Sequence, residues 1–423
     1  MAHARMTAGA RPRVAVVSVH TSPLDQPGTG DSGGMNVFIR AAAERVAAMG
    51  VDVDVFTRCR GHDLPEVQPL AGRSRLITVK AGPCALVPKD ELQRYAGEFL
   101  GGMLGRERLE RRRYDLVHTH YWVSGWVGRS TKDIWDVPLV ASFHTLGRVK
   151  NASLAPGDAP EPFARLAGEE RVIAEADRLV AATPSERSQL VGLYGADPDM
   201  IRVVQPGVDH ALFHPRPRDA ARERLHLTGV RLALFVGRLQ AHKGPDLAVR
   251  AVAEAVARDP AATRDLVLGV VGGPSGSGHG VDVARLLDLA TTLGIGDRVV
   301  FFPPQSQTRL ADFYSAAEMV LVPSRSESFG LVALEAQASG IPVVAAAVGG
   351  LRYVIEDGTT GFLVDGHDPV DHADRIIELL RDRTEAERMG RAAVERSMQF
   401  SWDATAVELL SVYRELIDVE AAA

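Results

Sequence analysis

The stretch His20-Thr-Ser-Pro-Leu-Asp-Gln-Pro-Gly-Thr-Gly-Asp-Ser-Gly-Gly-Met-Asn-Val-Phe-Ile-Arg40 carries G-x-G-x-x-G at Gly28, Gly30 and Gly33. An apolar run, Val14-Ala-Val-Val-Ser-Val19, precedes it. The pattern after it predicts a helix over 35–48. Strand, glycine loop and helix in that order open an α/β unit. Two uses compete for the loop. A dinucleotide fingerprint makes its tight turn directly off the strand and places an acid at the end of the second strand, ~20 residues on. Here Gly28 lies eight residues past His20, with Pro23 and Pro27 between, and the second apolar run ends in Phe56-Thr57-Arg58. The NAD-dependent dehydrogenase reading is weakened by both features. The other use is physical. Gly33 and Gly34 let backbone approach a ligand at a helix N-terminus, where free N–H groups and the dipole suit phosphate. Asp31, Ser32 and Asn36 can bond hydroxyls. Asp31 or Ser32 could also simply cap the helix, but a cap does not need four glycines.

Working outward, short Val/Ile/Leu runs alternate with helical patterns along the whole chain. The first series of expected strands is 13–19, 51–57, 76–80, 116–119, 139–143, 179–182 and 201–204. The second is 232–236, 266–271, 299–302, 319–322, 343–346 and 361–364. Continuous apolar strands between helices predict parallel sheets covered on both faces. Two series predict two doubly wound, Rossmann-like α/β domains facing a cleft, over 13–208 and 209–401. Pro206-Gly207 marks a hinge, residues 213–217 a linker, and residues 402–420 a helix that packs back on the first domain. Ligands of such sheets bind at the carboxyl ends of the strands.

The chain has 423 residues, 46% apolar and 24% charged, with a net charge of -6. That balance argues against nucleic acid or an anionic membrane as the main partner. Cys59 and Cys84 are the two cysteines, too few for a disulfide framework or a four-cysteine zinc site, so a cytoplasmic location is the default. No apolar run reaches the ~20 residues of a membrane helix. Residues 1–12 have charge but no apolar core and read as a disordered tail. Lysine is scarce, at Lys80, Lys89, Lys132, Lys150 and Lys243 only.

Against that background Phe235-Val-Gly-Arg-Leu-Gln-Ala-His-Lys-Gly244 stands out. Arg238 and Lys243 share a loop after a strand, where two cations can neutralise a diphosphate without a metal. The stretch Pro323-Ser-Arg-Ser-Glu-Ser-Phe-Gly-Leu-Val-Ala-Leu-Glu-Ala336 follows another strand. Its Glu327 and Glu335 form E-x7-E. A carboxylate can clamp the 2′- and 3′-hydroxyls of a ribose, and the N–H groups of Ser328, Phe329 and Gly330 would face the same cleft. Helix N-terminal acids also occur simply to favour the dipole, but the cations in the same domain strengthen the binding reading. His118 and His120 share one strand face with no evident third metal ligand, so packing or substrate contact is expected. Residues 106–113 read as a solvated charged helix face.

These residues resemble a known family. The GRL…KG run, P-S-x-x-E-S-F-G-L-V-x-x-E-A and the double α/β layout look like retaining GT-B glycosyltransferases of family 4 that use nucleotide sugars. The loop 20–40, Ala81-Gly-Pro83 with Lys89, Thr119-His-Tyr-Trp122 and Phe143-His-Thr-Leu146 resemble the D-inositol 3-phosphate glycosyltransferases of mycothiol biosynthesis. The resemblance implies transfer of N-acetylglucosamine from UDP-N-acetylglucosamine to 1D-myo-inositol 3-phosphate. It implies acceptor contacts at His20, Asp31, Ser32, Gly33, Gly34, Met35, Asn36, Lys89, Tyr121, Thr145 and Arg165. Donor contacts are implied at Gln26, Pro27, Gly34, Arg238, Lys243, Gln305, Glu327, Ser328, Phe329, Gly330 and Glu335. His144, with Arg238, Lys243 and Glu327, becomes a catalytic candidate. Gln305 departs from the arginine that the family often has there. The resemblance also implies a homodimer, no cofactor needed for catalysis, and a structural magnesium held by carbonyls around Tyr314, Ser315 and Ala317. The rival readings are a phosphatidylinositol mannosyltransferase, a sucrose-phosphate-synthase-like enzyme and a non-catalytic UDP-sugar binder. A lipid-directed enzyme would need an apolar stripe beside its basic face, and none is evident next to residues 106–113.

Overall fold

The computed structural model describes residues 11–61, 64–155, 158–274 and 282–422. The expected tail at 1–12 falls almost wholly outside them.

The described residues build two sheets. The first contains β1 Arg13–Ser18, β2 Asp52–Arg58, β3 Val67–Pro69, β4 Ser74–Val79, β5 Leu116–His120, β6 Leu139–Ser142, β7 Arg178–Ala181 and β8 Ile201–Val203. Its order is β3-β4-β2-β1-β5-β6-β7-β8. The second contains β9 Arg231–Val236, β10 Leu266–Val271, β11 Val299–Phe302, β12 Ala317–Val322, β13 Val343–Ala346 and β14 Gly361–Val364, in the order β11-β10-β9-β12-β13-β14. The pairings are parallel, except that β3 runs antiparallel to β4 at the edge. β1 is buried along its whole length, as a strand covered on both faces must be. Each strand expected from the sequence is present to within two residues. β3 was not expected. Its Val-Gln-Pro has no alternation to read, and its proline fits only an edge.

The topology positions the loops. β1 lies between β2 and β5, and β9 between β10 and β12, so strand order reverses at both. The crevice beyond such a strand is where ligands bind in open α/β sheets. The glycine loop leaves β1, and the Arg238–Lys243 loop leaves β9.

The helix Trp402–Ala422 returns to the first sheet's side. Trp402 meets Phe38 edge-on, with ring centroids 6.0 Å apart. The Tyr413 hydroxyl bonds His118 Nδ1 at 2.7 Å. The return passes Gly207, where a Cβ would sit 2.2 Å from the Trp402 backbone nitrogen, so no larger residue fits the crossing.

Two local features fill in the expectations. The helix over residues 96–110 ends at Glu110, with Arg111 left-handed at its C-cap. Arg108, Arg111, Arg112 and Arg113 are exposed, as expected of a solvated face, while Arg106 is half-buried. It pairs with Glu66, just ahead of β3, at 3.0 Å and with Glu110, one turn on in its own helix, at 2.7 Å. The two cysteines, too few for a framework, are bonded to each other. Among the described residues, no helix is long and apolar enough to cross a membrane.

Candidate active site between the two sheets

The glycine loop is braced from within. Gly28 has φ +87° and donates its N–H to Ser32 O at 2.9 Å. The Asp25 carboxylate accepts from Ser22 N at 3.0 Å, from Ser32 Oγ at 3.4 Å and from Arg60. Asn36 Oδ1 accepts from Gly33 N at 3.0 Å, while its Nδ2 donates to Ser22 O at 2.5 Å. Ser32 and Asn36 are each 1% exposed, so their side chains hold the loop's shape from behind. Gly33 is the helix cap, a place expected for Asp31 or Ser32. A Cβ on Gly34 would meet Leu331 Cδ1 at 3.1 Å. The bare backbone there lets the first half abut the second. Where a dinucleotide site needs an acid after β2, Arg58 donates to Pro83 O at 2.7 Å and Ala85 O at 2.6 Å.

Two adjoining cavities fill the cleft. The one nearer the second sheet, of about 140 Å³, is lined by Pro27, Gly34, Arg238, Lys243, Gln305, Glu327 and Glu335 among others. Glu335 is buried, and Tyr314 donates its hydroxyl to Glu335 Oε2 at 2.8 Å. Burial pushes the Glu335 carboxyl up to about 7, with bonds from Tyr314 and Gln307 opposing. Lys243 Nζ lies 2.6 Å from Glu327 Oε2, which also accepts from Ser324 Oγ at 3.4 Å. Gln26 lies outside both linings. It reaches across the cleft to donate to Gln305 O, and Gln305 Nε2 turns back onto Pro303 O at 2.8 Å.

The second cavity, of about 230 Å³, opens toward the first sheet. His20, Asp31, Gly33, Met35, Lys89, Tyr121, His144, Thr145 and Arg165 line it, with Ser328, Phe329 and Gly330 on the opposite wall. Arg238 and Lys243 line both cavities. Arg165, 3% exposed, donates to Glu169 Oε1 at 2.8 Å and to Thr145 Oγ1 at 3.0 Å, and its guanidinium lies 5.0 Å from the Tyr121 ring centre. Tyr121 and His144 have φ of +74° and +61°. Such strained backbone in non-glycine residues gathers at functional sites. His144 Nε2 bonds His120 Nδ1 at 2.7 Å, and its carbonyl accepts from Ser328 Oγ at 2.5 Å. Burial lowers His20, His118 and His144 to about 3, with neighbouring cations adding to the shift at His20. These imidazoles are neutral near pH 7 and can bond hydroxyls without adding charge.

The cleft also contains residues to which the sequence reading gave no role. Lys150 and His242 line the larger cavity. The rarity of lysine was a usable signal for Lys150, as was the position of His242 beside Lys243. His118 packs between Tyr413 and Ser142, with its Nε2 2.8 Å from Ser142 Oγ. Among the described residues, no group of His, Cys, Asp and Glu could hold a metal ion.

The carbonyls around which magnesium is expected stand where the helix Gln307–Ala316 meets β12. Tyr314, Ser315 and Ala317 are at most 2% exposed. The Tyr314 carbonyl accepts from Ala317 N, and Arg222 Nε donates to Ala316 O at 3.1 Å. The nearby Glu318 carboxylate is taken by Arg218 and Arg222. Protein donors thus already reach the Tyr314 and Ala316 carbonyls.

Two facing parallel sheets, with cations and acids converging between the two switch-point loops, define a GT-B glycosyltransferase. Family models agree: "Glycosyltransferase Family 4" matches residues 32–212 and "Glycosyl transferases group 1" residues 217–396. Among solved structures, sucrose-phosphate synthase from Thermosynechococcus elongatus has a TM-score of 0.88 at 32% identity, covering 97% of this chain and 100% of that one. An Anabaena protein, HepE, solved in complex with UDP-glucose, shares the fold at TM-score 0.73 and 19% identity, covering 96% of this chain and 100% of that one. Curated relatives are closer. The D-inositol 3-phosphate glycosyltransferase of Thermomonospora curvata is 52% identical over 95% of each chain. That of Acidothermus cellulolyticus is 52% identical over 96% of this chain and 90% of its own. The chain belongs to the D-inositol 3-phosphate glycosyltransferase family.

Proposed function

We propose that the protein transfers N-acetylglucosamine from UDP-N-acetylglucosamine to 1D-myo-inositol 3-phosphate with retained anomeric configuration, releasing UDP. The observation that carries this reading is that Arg238 and Lys243 line both cavities at once. A diphosphate bound by them has its nucleoside on the Glu335 side and its sugar on the His144 side. Lys89, Arg165, Tyr121 and Thr145 supply charge and hydroxyl donors for the acceptor's phosphate. His20, Asp31 and the loop backbone face its ring hydroxyls.

Charge develops on the leaving β-phosphate. Arg238, Lys243 and the N–H groups at Phe329 and Gly330, ahead of the helix Leu331–Ala338, oppose it as fixed donors. No carboxylate in the described cleft is assigned as a nucleophile. Glu327 is held by Lys243 and Glu335 by Tyr314. The acceptor hydroxyl attacks the anomeric carbon on the face the phosphate leaves, and its proton passes to that phosphate. The neutral His144 imidazole bonds the transferred sugar and positions it. Gln305 can hold the base through backbone atoms, with its side chain folded onto Pro303. No step is routed through a metal, and the working form is proposed to be a homodimer, checked by light scattering.

A coupled UDP-release screen tests the reading, using inositol 1-phosphate, inositol 3-phosphate and free inositol against several sugar nucleotides. Turnover confined to UDP-N-acetylglucosamine with inositol 3-phosphate is expected. Preference for another pair overturns it. A sugar–enzyme adduct trapped in mass spectrometry would refute same-face attack.

A further inference from the structure

On the side of the first sheet, the wall of the larger cavity holds three cations on three separate elements. Lys89 opens the 3-10 helix Lys89–Tyr95, Lys150 stands on the short helix Gly147–Ala152, and Arg165 on the helix Phe163–Glu175. All three reach the cavity. Two acids stand behind them. One Glu161 oxygen takes Lys150 Nζ and the other takes Arg165 NH1 at 2.9 Å. Glu169 is fully buried and is committed to Arg165 Nε at 2.8 Å, to Gly147 N at 3.0 Å and to the Tyr194 hydroxyl. Neither acid lines the cavity. One positive charge of the wall is therefore left without a counter-charge, and the cavity is where an anion can supply it.

The electrostatics point the same way. Burial lowers the Lys150 ammonium, Glu161 opposes, and Lys89 and Arg165 add to the lowering. Burial works against the Glu161 carboxylate, but Arg165, Lys150 and Lys89 together hold it down at about 2. The Glu161 carboxylate is therefore ionised near pH 7. The charge on Lys150 also reaches across to His242, whose imidazole is held neutral by burial and by Lys243, Lys150, Arg238 and Lys89. Lys150 shares Glu161 with an arginine.

We propose that Lys150 is a specificity-determining ligand of the acceptor's phosphate, and that Glu161 is the positioning residue that sets it beside Arg165. The inference rests on the reading of the acceptor as a phosphorylated polyol. A phosphate dianion can take charge-assisted bonds from several cations at once, guanidinium and ammonium together. A neutral polyol brings no charge to offset a third cation.

The test is steady-state UDP release by the full chain and by Lys150→Gln, Lys150→Arg and Glu161→Gln, with UDP affinity measured separately by calorimetry. Lys150→Gln should raise the KM for inositol 3-phosphate about tenfold or more, the scale for losing a bond to a charged group. The KM for UDP-N-acetylglucosamine and the Kd for UDP should stay unchanged. Lys150→Arg should recover most of the loss. Glu161→Gln should raise the acceptor KM with kcat little changed. An unchanged acceptor KM in Lys150→Gln overturns the proposal alone. A parallel loss in acceptor KM, donor KM and UDP affinity assigns the lysine a structural role and also overturns it. Wild-type protein that turns over no phosphorylated polyol removes the functional reading itself, and the proposal with it.

Discussion

At the scale of single residues, the account turns on which charges meet which ligand. Arg238 and Lys243 stand where a diphosphate would lie, so Arg238→Ala and Lys243→Ala should each remove about 2–4 kcal/mol of transition-state stabilisation, the scale of a lost preorganised donor. Measured kcat/KM decides, and an unchanged value removes that residue from the mechanism. Glu335 gives a pH signature. Burial holds its free carboxyl near 7, whereas ribose hydroxyls donate to the ionised form and lower it on binding. Nucleotide binding therefore releases a proton below that value, and affinity falls as pH drops through it. Calorimetry with UDP should show tighter binding at about pH 8 than at about pH 6, with the difference smaller in Glu335→Gln. Of the site, the charged and glycine positions were legible in the sequence because few other uses explain Lys243 between glycines or two acids after a strand. Ser32 and Asn36 were not, because a polar residue in a loop can face a ligand or brace the loop, and only the partners they found decide. Tyr314 shows the same limit, since nothing in its sequence position says that its hydroxyl goes to Glu335.

At the scale of elements, the helix Trp402–Ala422 ties the end of the chain to the first sheet. Tyr413→Phe leaves His118 Nδ1 without its partner in a buried site and should cost about 1–3 kcal/mol, read by urea unfolding. Trp402→Ala should cost about 3–5 kcal/mol through the cavity it leaves beside Phe38. An undiminished midpoint in both variants would mean the helix is not docked in solution. This helix was legible because its apolar positions have nothing else to cover. The parallel strands were legible because most are Val/Ile/Leu-rich runs of fitting length, with β2 alternating Asp52 and Asp54 with valines. β3 was not, since a three-residue edge strand is defined by its neighbour β4 and not by its own residues. The fate of residues 106–113 and of the cysteine pair likewise depended on what tertiary packing brought near them.

At the scale of the whole molecule, the glycine loop explains its own composition. Gly34 lies against Leu331, and Gly28, at positive φ, starts the turn that carries Pro27 to the donor-side cavity. Several polar contacts crossing between the halves fall at site residues: Gln26 to Gln305, Ser328 to His144 and Arg238 to Asp31. The same residues thus hold the two halves together and face the ligands. The central claim is that the later half grips a nucleotide diphosphate while the earlier half presents a phosphorylated polyol to it. The most direct measurement is a crystal structure with UDP and inositol 3-phosphate both bound. The account predicts diphosphate density between Arg238 and Lys243, ribose density on Glu335, and a second phosphate among Lys89, Lys150 and Arg165. UDP density away from Lys243 and Glu335 would contradict it.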